Sequence, residues 1–493
     1  MKYGLSEKQL DEIIGLISSY PEVEEAILFG SRAIDTFKAA SDVDIALKGE
    51  KVNATLAAKI QYDFEEDTYL PFFFDFIAYP TIDNQALREH IETKGVVIYR
   101  KGWREVKFTH MLVDESISYG IVQPGSHTEI NSVPIIRVNN IKNGIIDTNV
   151  MLKVASEIEN KYQRTRLEGG ELLITVVGSI GECAIVPNSL KGWNVARAVS
   201  VARIKNNFDK RYIKYCFQLD DLKFQLYGNT NDTVQPTLNL SSLKELIFNI
   251  PPLPEQKAIA SVLSSLDDKI DLLHRQNKTL EAMAETLFKQ WFVVEAREDW
   301  EEKSLLDVVQ LVGGGTPKTS TPEYWEGDIY WLSGGDIAIN HKSFVMSSEK
   351  MITANGLNNS SAKLLPKYTT VISARGTVGK YCLLSREMTY SQSNYGVLPK
   401  IDNCFFFTYL IINHVVSELQ SSAYGSVFDT ITTVTFKDNT VYIPIESRII
   451  EFEKQIAVYF CKKLINQKQI RTLEKLRNAL LPKLMSGEVR VKY

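Results

Sequence analysis

From Pro251 to Phe292 the apolar residues recur in alternating steps of four and three: Ile259, Leu263, Leu266, Ile270, Leu273, Leu280, Leu287 and Trp291, with Asn277 and Ala284 filling the gaps. A sustained period of about 3.5 residues predicts a helix with a coiled-coil seam rather than an ordinary amphipathic helix. Pro251, Pro252 and Pro254 stand at its start, where a missing N–H costs nothing. Such a helix of roughly 35 residues reaches about 50 Å, and alone in water its apolar stripe is not stable. The segment from Phe452 to Leu484 supplies a matching stripe: Phe452, Ile456, Tyr459, Ile470, Leu473, Leu480 and Leu484. Lys463, Asn466 and Arg477 interrupt it, and single polar seam residues of this kind set register.

The two stripes belong to a longer repeat. RTLEKLRNALLPKLM (Arg471–Met485) echoes KTLEAMAETLFKQWF (Lys278–Phe292) at an offset of about 193 residues. Upstream, GSIG at Gly178 answers GTVG at Gly376, and Ile250-Pro251 answers Ile443-Pro444. Residues beyond about 100 therefore form two copies of one unit, each a mixed domain followed by a long helix. Within the first copy, ELLITVVGSIGECAIVP (Glu171–Pro187) predicts a hairpin turned by Gly178 and Gly181. Lys210 to Tyr227 predicts one amphipathic helix. In the second copy Phe405-Phe406-Phe407 opens a core helix, and a glycine-rich loop from Gly313 leads into an aromatic strand. No Gly-Lys-Ser/Thr follows those glycines, which excludes a Walker phosphate loop.

The first hundred residues read helix, strand, turn, strand, helix, strand, helix. Val23–Phe29 ends in Gly30-Ser31-Arg32, and Asp42-Val43-Asp44-Ile45 alternates as a half-buried strand does. Asp42 and Asp44, two apart, share a face, and Asp75 lies in a further strand. Three carboxylates on adjacent strands suit divalent metal ions such as Mg²⁺, which keeps a nucleoside triphosphate's phosphates in its shell, and a metal pair serves nucleotidyl transfer. Gly30 lets the backbone approach a triphosphate, Ser31 donates at a helix start, and Arg32 neutralises further charge.

Length and composition narrow the class. The 493 residues suggest about three domains. The chain lacks any apolar run near the roughly 18 residues a membrane span requires, and its acidic amphipathic start is unlike a signal peptide. Five cysteines, odd in number and scattered without metal or disulfide spacing, predict a reducing cytoplasm. Net charge is −4, but it is uneven: about −8 over residues 1–100, about +3 over 101–250 and about +6 over the C-terminal stripe. The repeats show no nucleophile–base pair; their loops carry side chains of the kind that contact phosphates and base edges: Arg137, Asn139, Asn140, Lys142, Arg197, Asn229, Asn231, Gln235, Lys318, Arg375, Lys380, Gln392 and Asn394.

Two resemblances follow from these stretches. LFGSR (Leu28–Arg32), SDVDIAL (Ser41–Leu47), FDF (Phe74–Phe76) and EHIETKGVVIYRKG (Glu89–Gly102) resemble the minimal nucleotidyltransferases of the polymerase-beta-like fold. The resemblance implies Asp42, Asp44 and Asp75 as metal ligands and catalytic carboxylates, and Gly30 and Ser31 as phosphate contacts. The connector AIDTFKAA departs from the family, which often has a glycine soon after the arginine. Residues 103–486 resemble the specificity subunit of type I restriction–modification enzymes, on IPPLPEQKAIASVLSSLDDKIDLLHRQNKTLEAMAETLFKQWF, IIRVNNIKNG, the paired GSIG and GTVG hairpins and GGGTPKTSTPEYWEGDIYWLSGGDI.

The expected fold is α+β multidomain: a nucleotidyltransferase α/β domain (1–100), target-recognition domain 1 (101–250), a central spacer helix (251–296), target-recognition domain 2 (297–445) and a C-terminal spacer helix (446–486), the two helices forming an antiparallel coiled coil. The resemblance implies a reader of a bipartite, asymmetric site in double-stranded DNA. Its partners are methyltransferase subunits and a restriction translocase, and the specificity part carries no cofactor of its own. The competing expectation is an active nucleotidyltransferase, akin to antitoxins that transfer AMP to a protein partner, using the repeats as a scaffold.

Overall fold

The computed structural model describes residues 3–38, 41–228, 237–424 and 430–491. The chain falls into two compact units, Met1–Ser264 with Leu481–Tyr493, and Ser265–Leu480.

The first unit begins with a four-stranded sheet: β1 (Glu25–Phe29), β2 (Val43–Lys48), β3 (Phe74–Ala78) and β4 (Val96–Arg100), in the order β3-β2-β1-β4. β2 runs antiparallel to β1 and parallel to β3. The helices Glu7–Ser18 and Ala54–Asp67 bring Ile13, Ile17, Ile60 and Phe64 to one side of the sheet, while Ile27, Phe29, Ala46 and Ile91 form a separate cluster on the other. Covering both faces explains why β1 reads as a nearly unbroken apolar run rather than an alternation. The leading helix is closed by a capping box between Ser6 and Gln9.

The two repeats fold alike. In the first, a sheet runs Cys183–Ile185, Leu172–Thr175, Val199–Ile204, Leu112–Tyr119; in the second the counterparts run Tyr381–Leu384, Thr370–Ser373, Asn394–Pro399, Val309–Gly313, with Phe344–Val345 added at one edge. A three-stranded sheet also recurs: Leu152–Ala155, Ser132–Ile136 and Asn194–Val195 answer Lys350–Ile352, Trp325–Leu332 and Thr389–Tyr390, with one antiparallel and one parallel pairing each time. A third pairing joins each repeat's first strand to its last, Arg104–Lys107 with Ile247–Ile250 and Glu301–Ser304 with Thr440–Ile443.

One local expectation is corrected. The helix expected over Lys210–Tyr227 is split into Lys210–Cys216 and Asp220–Gly228. The break lets Phe217 bury itself against Phe108 and Phe248, a gain that outweighs one uninterrupted run of helix hydrogen bonds. After the aromatic strand Trp325–Leu332 the chain turns into a short helix, Gly334–Ile339, started by a Ser333–Asp336 capping box.

The central spine helix spans Leu253–Lys289 and the C-terminal one Glu446–Met485. Within the second unit they pair antiparallel, since partners advance in opposite directions: Asp267 with Arg477, Asn277 with Asn466, Glu281 with Lys463, Phe288 with Phe452. Ile270, Leu273, Ile470 and Leu473 form a small apolar cluster between them. The three polar interruptions noted in the C-terminal stripe thus each meet a polar partner. Beyond Ala284, itself a seam position, the buried face moves by one residue to Phe288 and Phe292, with Leu287 and Trp291 only partly buried, and packs into the core built by Phe405–Tyr424. There the helix contacts a domain as well as its partner, so a period-3.5 seam no longer describes its buried surface.

Candidate functional sites: paired recognition loops and N-terminal carboxylates

The hairpin tips of the two repeats are held by the same hydrogen bonds. In the first, Gly181 N donates to Thr175 O (3.0 Å), Val176 N to Ala198 O (2.9 Å), Ile121 N to Val195 O (2.7 Å) and Leu238 N to Val176 O (2.9 Å). In the second, Gly379 N donates to Ser373 O (2.9 Å), Ala374 N to Ser393 O (2.9 Å), Gly315 N to Tyr390 O (3.0 Å) and Ile431 N to Ala374 O (3.1 Å). Gly178 and Gly376 both turn at φ 76°, a conformation that favours glycine. Gly120 and Gly314 each lie so near a neighbouring carbonyl, Val195 O and Ser391 O, that a Cβ would sit 2.1 Å from it.

On this frame the side chains differ. Arg197 occupies in the first repeat the place that Gln392 occupies in the second, because the residue after each accepts the equivalent bond. Both are exposed, as are Asn139, Lys142, Lys318, Arg375 and Lys380. Gly314 N donates to Asn394 O, and Gln392 N lies 3.5 Å from Thr316 Oγ1. These bonds tie the Lys318 loop, the hairpin with Arg375 and Lys380, and the Gln392 segment into one edge. Arg137 is half-buried at the exit of Ser132–Ile136, where Ile136 O accepts from Ala196 N beside Arg197.

Two candidates differ from the reader role expected of them. Asn140 is buried; its Nδ2 donates to Asp147 O (3.0 Å) and Val150 O (3.1 Å), and its Oδ1 accepts from Arg137 N (3.0 Å). It shapes the loop that presents Asn139 and Lys142. Asn394 is 1% exposed and donates to Ser391 Oγ (2.7 Å). Asparagines that close loops on their own backbone look in sequence like asparagines that face a ligand. Asn229, Asn231 and Gln235 lie outside the described residues. Thr377, not among the sequence candidates, has its Oγ1 2.9 Å from Ser373 Oγ and donates to Gly334 O (3.3 Å), fastening the hairpin to the Ser333-Gly334-Gly335 turn. The small-residue run after the aromatic strand was the available signal.

In the N-terminal sheet, Asp44 and Asp75 are direct register partners on β2 and β3. Gly30, at φ 72°, follows β1 so closely that a Cβ there would lie 2.2 Å from Asp44 Oδ2. Asp42 is exposed just before β2. Burial, then the charges of Asp75 and Asp42, push the Asp44 carboxyl above its ordinary value. Ser31 is half-buried in the helical turn after Gly30. Arg32 departs from the expected phosphate role: it is 1% exposed, donates to the carbonyls of Ser41, Asp42 and Tyr3, and lies over the rings of Phe72 and Phe37. Its guanidinium pins the entry to β2 and so aims Asp42 and Asp44. Among the described residues no group of three or more His, Cys, Asp or Glu side chains converges closely enough to form a metal site by itself. Phe73, exposed and directly before β3, was not among the sequence candidates.

A family model described as Type I restriction modification DNA specificity domain matches residues 123–282 and 297–480. The chain belongs to the type I restriction–modification DNA specificity family. Residues 11–102 match a second family model, Polymerase beta, Nucleotidyltransferase. Among curated relatives, the MjaIX type I specificity subunit of Methanocaldococcus jannaschii is 26% identical over 346 residues, 65% of this chain and 78% of its own length. The HindI specificity subunit of Haemophilus influenzae is 23% identical over 341 residues, 54% and 74% of the respective chains. The solved S subunit of a type I system from M. genitalium covers 78% of this chain and 96% of its own at a TM-score of 0.54 and 15% identity, which establishes a shared fold. This specificity-family chain thus carries a nucleotidyltransferase domain ahead of its two repeats. Among the described residues no helix is long and apolar enough to cross a membrane.

Proposed function

We propose that this chain reads a bipartite, asymmetric site in double-stranded DNA for a type I restriction–modification system. It holds methyltransferase subunits and serves a restriction translocase, in the cytoplasm. The observation that carries this reading is one hydrogen-bonded frame, built twice, that presents Arg197 in one copy and Gln392 at the equivalent place in the other. Equal frames with unequal side chains suit two half-sites of different sequence. Arginine favours the O6/N7 edge of guanine and glutamine the N6/N7 edge of adenine. Lys142, Lys318, Arg375 and Lys380 supply cationic contacts to phosphates, which position the frame without specifying bases. The specificity part carries no cofactor; the chemistry on DNA belongs to its partner subunits.

The pairing of Asp44 with Asp75 beside Gly30 supports a second activity, metal-dependent nucleotidyl transfer to a protein partner. Asp42, Asp44 and Asp75 would hold Mg²⁺, completed by the phosphates of a nucleoside triphosphate, and the ion would supply charge stabilisation to the transferring phosphate. The residues fit such an ion: burial, then the charges of Asp75 and Asp42, raise the Asp44 carboxyl, and a divalent charge offsets that repulsion. Gly30 and Ser31 would approach the triphosphate, and Arg32 would position the carboxylates from behind.

The test separates the two. The full chain is assembled with its methyltransferase subunits, and DNA methylation and nucleotide transfer to system proteins are measured for wild type and Asp44→Asn. Site-specific methylation equal in both, with transfer lost only in the variant, is expected. Absence of site-specific methylation with active methyltransferase overturns the first reading. Absence of transfer by wild type to every system component overturns the second.

A further inference from the structure

We propose that the polar residues of the spine seam select which helix pairs with which, so that the central helix pairs with the C-terminal helix and not with another copy of itself.

Three of the polar contacts that cross the seam within the second unit fall on its interrupted positions. Lys463 Nζ lies 3.0 Å from Glu281 Oε2, Asn466 Nδ2 donates to Asn277 Oδ1 at 3.0 Å, and Arg477 Nη1 to Asp267 Oδ1 at 3.0 Å. The Lys463 and Glu281 side chains are only 6% and 19% exposed, and Asn466 is fully buried. The same offset that aligns RTLEKLRNALLPKLM with KTLEAMAETLFKQWF maps Lys463 to Ile270, Asn466 to Leu273 and Arg477 to Ala284. The three polar positions of the C-terminal helix are therefore apolar in the central one, and of the central helix's three, Asp267 and Asn277 answer Phe460 and Ile470 while Glu281 answers Glu474. Laid antiparallel on a second copy of itself in the same register, the central helix would set Glu281 opposite Ile270, Asn277 opposite Leu273 and Asp267 opposite Ala284. The C-terminal helix on its own copy would set Asn466 opposite Ile470 and Arg477 opposite Phe460, with only Lys463 meeting an acid, Glu474. Asn277 and Asn466 would each face an apolar side chain in place of the amide they meet here, and for the fully buried Asn466 that loss costs more than the pair gains when satisfied.

The apolar cluster discriminates in the same sense: Ile270, Leu273, Ile470 and Leu473 pack together here, but Ile470 answers Asn277, and Ile270 and Leu273 answer Lys463 and Asn466, so neither like-with-like pairing rebuilds it. A tandem duplicate with two similar sticky helices is open to such mispairing, and a few polar seam residues are an economical way to exclude it.

The test uses the full chain. Wild-type protein in natural-abundance and ¹⁵N-labelled forms is mixed, unfolded and refolded together. Lysines are then cross-linked, and mixed-isotope links joining two central-helix peptides, through the exposed Lys269 and Lys278, are counted. A variant with Glu281→Leu, Lys463→Leu, Asn277→Leu and Asn466→Leu keeps an apolar seam and is expected to raise these links about fivefold over wild type, because its seam no longer distinguishes the helices. The charge-reversed pair Glu281→Lys with Lys463→Glu keeps the pattern of polar against apolar and is expected to stay at the wild-type level. A fourfold variant at the wild-type level, or a reversed pair rising as far as the fourfold one, overturns the proposal. Should the fourfold variant not refold, Asn277→Leu with Asn466→Leu is measured in the same way, with about a twofold rise expected and no rise contradicting the assignment.

Discussion

The first and second repeats agree in what holds them together and differ in what they display. Gly120 and Gly314, Gly178 and Gly376, and the bonds from Val176 and Ala374 coincide. At the same places Arg197 corresponds to Gln392, and Glu182 to Lys380, the carbonyls of the latter two accepting from Thr175 N and Ser373 N. Agreement in backbone with divergence in exposed side chains is what selection for one scaffold and two targets leaves behind. A single enzymatic site divided between the repeats would instead require particular side chains to match.

The comparison breaks most sharply at the frame itself. Gly120→Val or Gly314→Val forces a side chain onto a carbonyl 2.1 Å away. Each should cost about 3 kcal/mol or more in its own repeat, seen as accelerated amide exchange in that repeat's strands while the other repeat is unchanged. A smaller effect divides the repeats by pH. Glu453 is buried, accepts from Phe406 N (3.0 Å) and Phe407 N (2.7 Å), and burial pushes its carboxyl up to about 7 from 4.5. A raised carboxyl favours the protonated fold. The second unit should therefore be most stable below about pH 4.5 as far as this group is concerned, lose roughly 3 kcal/mol as pH rises from there to about 7, and level off above. Glu453→Gln should flatten that slope in thermal melts.

Specificity gives the next step down. Arg197→Gln makes one tip resemble the other and should change base preference at one half-site by about 1–2 kcal/mol, leaving the other half-site untouched in a binding selection with the assembled complex. The smallest effect is uniform. Arg375→Ala or Lys380→Ala should weaken binding to every sequence alike and reduce the slope of log K against log salt by about 1 each.

The spine and the duplication were legible because both are periodic: a seam repeats every few residues, and an offset repeats across half the chain. The carboxylate strands were legible because strand alternation places Asp42 and Asp44 on one face and adjacency does the rest. Individual readers were not. Asn140 and Asn139 are neighbours of the same type, yet one is spent on loop carbonyls and the other is exposed. Arg32 follows a phosphate-binding type of turn but is drawn inward by three carbonyls and two rings. Local sequence encodes what a side chain is able to bond; the tertiary fold decides which partner arrives first.

The central claim is that two equivalent frames each read their own piece of DNA. Mapping every methylated base in DNA exposed to the assembled system tests it most directly, with wild type and Arg197→Gln side by side. Two short, dissimilar half-sites at a constant separation, of which the substitution alters one, are predicted. A continuous or self-symmetric motif, or a substitution that alters both halves together, would contradict it.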